Sequence, residues 1–371
     1  MNRSQVSIVR CKSYETKEVE VAVKKSVELL GGIERFVKPN SRVLLKPNLL
    51  SARTPDEGVN THPEVIRVVA RLIKPVTSQI FVGDSPGGWE LKDVGEVYEK
   101  AGVKKVCDQE GLKLVKFDKA IEINGFPIAA VTKEVDAIIS LPKFKTHTTT
   151  TLTGAIKNMF GMVVGLYKAQ CHLRAPMPDE FASLLVKVFG LVKPTLSIMD
   201  GIIGMEGEGP AAGALRNIGL VMASQDAVAL DTIFARLIGI EPDKIFIIQK
   251  AAKMGEGIAD LERIDVFGEN LKTAEIKNFK LPKTSVIYNL PRLLIHFGSR
   301  HIRFYPFINK KRCQRCELCF KICPTATIKK LQDGTFKVDI KDCIRCFCCY
   351  EVCPHKTITL RKSLLAKVIM R

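Results

Sequence analysis

Short Val-, Ile- and Leu-rich runs punctuate the first 270 residues: VSIVRC, RVLLKPN, SQIFVGD, LKLVKF, VDAIISLPK, TLSIMDG and NIGLVMAS. Each has strand length, and apolar residues fill it almost without alternation, the pattern of a strand covered on both faces. Between several of them the period becomes that of an amphipathic helix. EVEVAVKKSVELLGG ends on glycines suited to a C-terminal cap, and THPEVIRVVARLIKP starts with a Thr cap and stops before a proline. DEFASLLVKVFGLVKP and DAVALDTIFARLIGI repeat the apolar spacing at i, i+3, i+4 and i+7. Strands alternating with helices predict an α/β domain over residues 1–270, an open, mostly parallel sheet covered by helices.

Beyond it the pattern degrades. Residues 271–308 mix apolar and basic positions with prolines at 282, 291 and 306, which reads as a connector packed across the first domain. Residues 309–371 are short and cysteine-rich, and predict a small α+β domain.

Several strand runs lead straight into polar residues: Lys46-Pro47-Asn48, Asp84-Ser85-Pro86-Gly87, Lys143 with Lys145 and His147, and Asp200-Gly201. Ligands of open α/β sheets bind outside the carboxyl ends of the strands, so this edge is the expected pocket. Lys46 and Lys143 offer positive charge for a carboxylate or phosphate. His147 with Asp200 or Asp84 is the candidate acid/base pair. The glycines at 201, 204, 207 and 209 and the GDSPGG turn are candidate close-approach or anion-binding backbone. Thr153-Gly154 would point a helix N-terminus at the pocket. The sequence has no P-loop and no G-x-G-x-x-G after a strand, so nucleotide binding by those modes is not expected.

Of 12 cysteines, nine fall between Cys313 and Cys353. Cys313, Cys316, Cys319 and Cys323 follow C-x2-C-x2-C-x3-C-P, and Cys343, Cys346, Cys349 and Cys353 repeat it thirty residues later. This is the bacterial ferredoxin run, in which the fourth cysteine of each motif serves the other cluster. Two [4Fe–4S] clusters are expected, one on Cys313, Cys316, Cys319 and Cys353, the other on Cys343, Cys346, Cys349 and Cys323. A zinc site would favour paired C-x2-C runs on longer spacers. TATIKKLQDGTFKVDIKD reads as a short helix and then a hairpin turning at Asp333-Gly334. Cys348 falls outside the spacing and reads as a small buried hydrophobe.

The net charge of +18 sits mostly in the last quarter: from Leu281 onward 19 Lys and Arg face 5 Asp and Glu, a net of +14. Basic side chains beside the cysteines suit an acidic redox partner of ferredoxin or flavodoxin type. Aromatic residues make up 7% of the chain and no nucleic-acid motif is present, so nucleic acid is not an expected partner. No apolar run approaches the ~20 residues of a membrane span. The N-terminal stretch has no signal-peptide pattern, and the expected compartment is the cytoplasm, where thiols stay reduced.

LLKPNLL, THPEVIRVVARLI, GDSPGG, LPKFKTH, TGAIKNMFG, IMDGIIGMEGEGP and ASQDAVALD, in that order, resemble the prokaryotic family catalogued as domain of unknown function 362, many of whose members end in a dicluster ferredoxin module. The resemblance covers about residues 5–268 and the cysteine-rich end. It implies an iron–sulfur protein, often of anaerobes. It also implies polar site positions at Lys46, Asn48, His62, Asp84, Lys143, His147 and Asp200, with Lys157, Asn158, His172 and Glu206 as candidate cofactor contacts and Asp226 and Asp231 alongside. Cys171 before His172 departs from the family, which more often has an aromatic there. The expected function is ferredoxin-linked oxidoreduction of an anionic ligand or an organic cofactor at the strand ends. The alternative is a non-catalytic electron-transfer or maturation protein serving a partner enzyme.

Overall fold

The computed structural model describes residues 3–87, 93–285, 302–363 and 366–367. In the first domain the strands are β1 (Ser4–Arg10), β2 (Val43–Pro47), β3 (Ile80–Val82), β4 (Lys113–Leu114), β5 (Ala120–Ile123), β6 (Phe126–Ala129), β7 (Ala137–Leu141), β8 (Lys143–His147), β9 (Thr151–Leu152), β10 (Leu196–Glu206), β11 (Ala214–Ser224) and β12 (Ile264–Gly268). Among the described residues one large sheet runs β12-β1-β11-β10-β7-β2-β3-β4, with β8 on β10 and β9 on β8. Its pairings are parallel except at β11, which runs antiparallel to both neighbours, and at β9.

Apolar runs bury both faces because successive side chains alternate across the sheet. Val43, Leu45 and Ile139 pack with α1 (Thr16–Glu28), α2 (Pro63–Ile73), α3 (Val94–Lys100) and α4 (Val103–Glu110). Leu44 and Ile138 pack on the other side with α5 (Gly154–Asn158), α6 (Tyr167–Arg174), α7 (Pro178–Leu191), α8 (Ala227–Leu237) and α9 (Phe246–Lys253). The cap of α2 is His62, whose Nδ1 accepts the Glu64 N–H at 3.2 Å. The expected cap Thr61 is engaged elsewhere: its hydroxyl accepts from Asn48 N and donates to the Leu141 carbonyl.

A short helix α10 (Leu271–Ala274) opens the stretch expected as a connector. Phe279 in it packs edge-on to Phe144 at 6.0 Å, and residues 286–301 lie outside the described residues. Its last part is a strand, β13 (Phe304–Ile308), which pairs with β16 (Ile358–Lys362), so the small domain starts earlier than residue 309. β14 (Ile328–Lys330) and β15 (Phe336–Val338) make the hairpin at Asp333-Gly334. The short helices fall within the cysteine motifs, at α11 (Leu318–Lys321) and α12 (Cys348–Val352); TATIKK supplies β14 rather than a helix.

The duplication extends to the backbone. Arg315, Glu317 and Ala326 have positive φ, and so do Arg345, Phe347 and Lys356 thirty residues on. The small domain's core includes Ala169 of α6, so it packs against the first domain rather than hanging from it. Tyr350 OH donates to the Glu208 carbonyl at 2.7 Å, and Arg53 Nη2 to that of Cys353 at 3.2 Å.

Candidate functional site

β2 ends in Lys46, whose ammonium is buried and fully occupied. It pairs with Asp84 Oδ1 at 2.8 Å and donates to Asn158 Oδ1 at 3.1 Å and the Pro47 carbonyl at 3.0 Å. Asp84 in turn accepts from Leu49 N and Ser85 N. A Cβ on Gly161 would stand 2.2 Å from Asp84 Oδ1 and 2.7 Å from Lys46 Nζ, so this pair needs glycine there. β8 is a strand, which puts Lys143, Lys145 and His147 on one face and sends Phe144 into the core against Phe234.

Lys46, Asp84, Asn158 and His147 border a cavity of about 120 Å³ between the two domains. The first domain lines it with Lys46, Asn48, Asp84, His147, Thr153, Lys157, Asn158 and His172, and α12 closes it with Cys348, Glu351 and Val352. His147 Nδ1 accepts the Thr149 N–H at 3.1 Å, which leaves the ring proton on Nε2. Nε2 stands 3.2 Å from Glu351 Oε1, within ion-pair range but outside hydrogen-bond alignment. Burial, then Lys157, lowers His147 to about 4, and the ring is neutral at pH 7. Burial likewise lowers His172, stacked on Phe181 at 4.1 Å, to about 4. Glu351 would be raised by burial, but the His147 N–H facing it and the Lys157 ammonium hold it below the usual carboxylate range. Among the described residues four polar atoms on this wall are buried without a hydrogen-bond partner: Asn48 Oδ1, His147 Nε2, Thr153 Oγ1 and Glu351 Oε1. Unpaired buried polar groups cost ~1–3 kcal/mol each, so the wall is set to meet a polar occupant.

Several expected site residues lie elsewhere. Lys143 pairs with Asp200 at 2.7 Å, and Tyr14 OH bridges the two, accepting from Lys143 and donating to Asp200, both at 2.7 Å. His62 stacks on Tyr14 with ring centroids 3.6 Å apart, and its backbone N–H donates to Asp200 at 2.9 Å. This network closes on itself away from the cavity, so Lys143, Asp200 and His62 are not brought to it. The partner of His147 is Glu351 rather than Asp84 or Asp200. Glu206 is tied to Arg216 at 2.8 Å and to Lys280 N at 3.1 Å.

The expected backbone sites are also spent. Asp231 takes the Ala155 and Ile156 N–H groups at 2.6 and 3.0 Å, so the start of α5 does not serve the pocket. Gly201 and Gly204 lie in β10 against Phe144, and Gly209 abuts Thr146. Ser85 N–H is held by Asp84 and Gly161, and Gly88 of the GDSPGG turn lies outside the described residues. Tyr14, Glu351 and Cys348 were not foreseen. A charge reversal between repeat copies, Lys321 against Glu351, is the signal in the sequence that marks the second.

Among the described residues every cysteine is free of a disulfide. Cys319 is pushed up to about 12, first by burial and then by Cys353, Cys316 and Cys313, so those four sulfurs share one neighbourhood. Cys343 is raised by burial, with Cys346 and Cys323 as its thiol neighbours. Thr327 Oγ1 lies 3.4 Å from Cys323 Sγ, and Thr357 Oγ1 lies 3.3 Å from Cys353 Sγ, equivalent contacts in the two copies. Left-handed residues recur at matched positions in the two cysteine loops, a backbone of the kind that forms anion-binding nests. The thiolate donor set and its cradle therefore fit iron–sulfur clusters.

The sequence matches a 4Fe-4S dicluster domain over residues 305–354 and the family described as Domain of unknown function (DUF362) over residues 43–236. It is 34% identical over 309 residues to the Thylakoid-associated protein sll1697 of Synechocystis sp., covering 81% of this chain and 95% of that protein. Among solved structures it is similar to the lactate racemase apoprotein from Thermoanaerobacterium thermosaccharolyticum, at 10% identity and a TM-score of 0.41, over 61% of this chain and 55% of that one. Among the described residues no helix is long and apolar enough to cross a membrane. With its α/β domain joined to a [4Fe–4S]-binding end, the chain belongs to the DUF362 family.

Proposed function

We propose that the chain holds two [4Fe–4S] clusters and passes electrons to or from a small anionic ligand, or an organic cofactor, seated in the cavity between the domains. One observation carries this reading: the cavity that gathers Lys46, Asp84, His147, Lys157 and Asn158 is closed by the helix of the second cysteine motif. One cluster is assigned to Cys313, Cys316, Cys319 and Cys353, the other to Cys343, Cys346, Cys349 and Cys323. The thiol neighbours of Cys319 and of Cys343 support this crossing. Such clusters, when bound, supply single electrons.

The chain's own residues hold the ligand. Lys157 presents positive charge, His147 Nε2–H donates, and Asn48 Oδ1 and Glu351 Oε1 accept. The Lys46–Asp84 pair fixes the wall beneath them. At the far end Cys316 is exposed among exposed Lys310, Lys311, Arg312, Arg315 and Lys321, a rim suited to an acidic ferredoxin- or flavodoxin-type partner. That rim also favours a second reading, a carrier or maturation protein that hands electrons to a partner enzyme. We assign the chain to the cytoplasm. Its basic end suits peripheral contact with an acidic membrane surface, in keeping with the name of the Synechocystis relative.

Anaerobic purification with iron and sulfide analysis and EPR tests the cluster assignment. Cys353→Ser should remove the signal of the cluster whose other ligands lie in the first motif, and Cys323→Ser the other. Each change disturbing the cluster of its own motif would refute the crossing. Ligand-dependent reoxidation of the dithionite-reduced protein tests the enzyme reading. Reoxidation by an acidic ferredoxin alone, across a panel of small anions, would leave the carrier.

A further inference from the structure

The two cysteine motifs superpose residue for residue at a spacing of thirty, so the first copy says what the fold of the second requires. At the position of Cys348 the first copy has Leu318, which is 4% exposed in the domain core. At the position of Glu351 it has Lys321, which is exposed to solvent. A ferredoxin-type repeat therefore needs no thiol at 348 and no carboxylate at 351. Both departures occur on α12, and both side chains line the cavity.

The opposite wall completes a binding environment. Among the described residues Lys157 Nζ, at the end of α5, makes no hydrogen bond and no ion pair, whereas Lys46, Lys143 and Lys145 are each satisfied inside the protein. Burial lowers Lys157, and Glu351 of α12, too far away to pair with it, acts the other way. His147, 1% exposed, brings Nε2 to the cavity beside Glu351 Oε1, and Thr153, 4% exposed, brings an unpartnered Oγ1 into the same space. Gly87, which lines the cavity, is exposed.

We propose that Cys348 is a ligand-contacting thiol and that, with Lys157 and His147, it forms a subsite for a small carboxylate anion of about half a dozen heavy atoms. This rests on the cavity reading above and names the ligand class and a contact for it. The size follows from the 120 Å³ available. The charge follows from Lys157, a half-buried ammonium that lines the cavity with no carboxylate within ion-pair distance. The thiol takes the place where the repeat would otherwise put a leucine and fill the space.

A pair of isosteric reagents tests it, with iodoacetate as the carboxylate probe and iodoacetamide as its neutral counterpart. In each, the Cys348 sulfur forms a bond to the methylene carbon, iodide leaves, and the thiol proton passes to solvent. On the cluster-loaded full chain under anaerobic conditions, peptide mass spectrometry should find Cys348 labelled. Its iodoacetate-to-iodoacetamide rate ratio should exceed that of the same thiol in the unfolded chain by about tenfold or more, and saturate with iodoacetate. The ratio cancels the thiol's own ionisation. Lys157→Gln should return the ratio to the unfolded value, and acetate should protect Cys348 in the unmodified protein but not in Lys157→Gln. Cys348 remaining unlabelled while the cluster spectra persist would overturn the proposal, as would a ratio that Lys157→Gln leaves unchanged. Iron content and EPR on the same samples separate the two readings. Labelling without a second cluster defeats the electron-transfer reading alone, and two intact clusters without labelling defeat the thiol subsite alone.

Discussion

The Lys46–Asp84 pair makes a sharp energetic prediction, because both partners lie inside the protein and neither is a surface ion pair. Lys46→Met removes the ammonium from between Asp84 Oδ1, Asn158 Oδ1 and the Pro47 carbonyl. It leaves Asp84, 2% exposed, as a buried carboxylate held by the Leu49 and Ser85 N–H groups alone. Breaking a buried pair from one side costs ~3–5 kcal/mol. The two remaining backbone donors keep this case near the lower end, and the orphaned Asn158 oxygen adds ~1 kcal/mol. The single variant should therefore lose about 4 kcal/mol. Lys46→Met with Asp84→Asn removes both charges, keeps the amide oxygen on one of the two backbone donors, and should lose only ~1–2 kcal/mol. At ~2–4 °C per kcal/mol for a domain of this size, the single variant should melt about 8–16 °C lower and the double one about 2–8 °C lower. Thermal denaturation of the cluster-loaded chain under anaerobic conditions, followed by far-UV circular dichroism, reads the difference. A double variant that melts at or below the single one would refute the claim that Lys46 is there to neutralise Asp84, and would return its charge to the ligand.

Two further predictions concern pH and potential. Burial first, and Lys143 next, lowers His62 to about 4 against Asp200 and Glu64, which raise it, so the unfolded chain binds a proton below pH ~6.5 that the folded chain refuses. The stability is present above pH ~6.5 and is lost as pH falls toward 4, up to about 3 kcal/mol. His62→Asn keeps a helix cap, and the melting temperature should then vary less between pH 6.5 and 5; parallel profiles would count against it. Thr327→Val and Thr357→Val each remove a hydroxyl next to a crossing cysteine sulfur. With ~1 kcal/mol per hydrogen bond, a one-electron midpoint should fall by about 40 mV. Redox titration monitored by EPR should show each valine moving a different midpoint, and both moving the same one would contradict separate sulfur environments.

How much of this was legible in the sequence depended on whether the deciding contact was local. The apolar runs announced β2, β7, β10 and β11 because short apolar runs buried on both faces of a sheet have little else to be. The spacing of eight cysteines was equally direct, since ligand geometry is set by the loop itself. Lys46 and Lys143 were indistinguishable, each a lysine at the end of an apolar strand. Their fates diverge because the chain breaks at Pro142, and β8 then pairs with the later half of β10, which carries Lys143 to Asp200 and Tyr14. The pairing of His147 with Glu351 spans two domains, and no local pattern encodes it. Glycines that read as ligand-approach positions turned out to permit close packing of protein on protein, the commoner demand on a glycine in a dense sheet.

The asymmetry between the two cysteine motifs orders the molecule. An ancestral-type repeat would present two equivalent faces, but here the first copy keeps exposed Cys316, Lys321 and a 42%-exposed Phe320, while the second copy buries Tyr350 and turns Cys348 and Glu351 inward. The buried Tyr350 hydroxyl anchors this copy to the Glu208 carbonyl of the first domain. The first motif thus stays open to solvent, and the second is fitted to a permanent neighbour. Because α12 supplies one wall of the cavity, the α/β domain alone would leave His147 and Lys157 open to water. Whatever binds there does so in contact with the second motif, which is a reason for the two domains to share one chain.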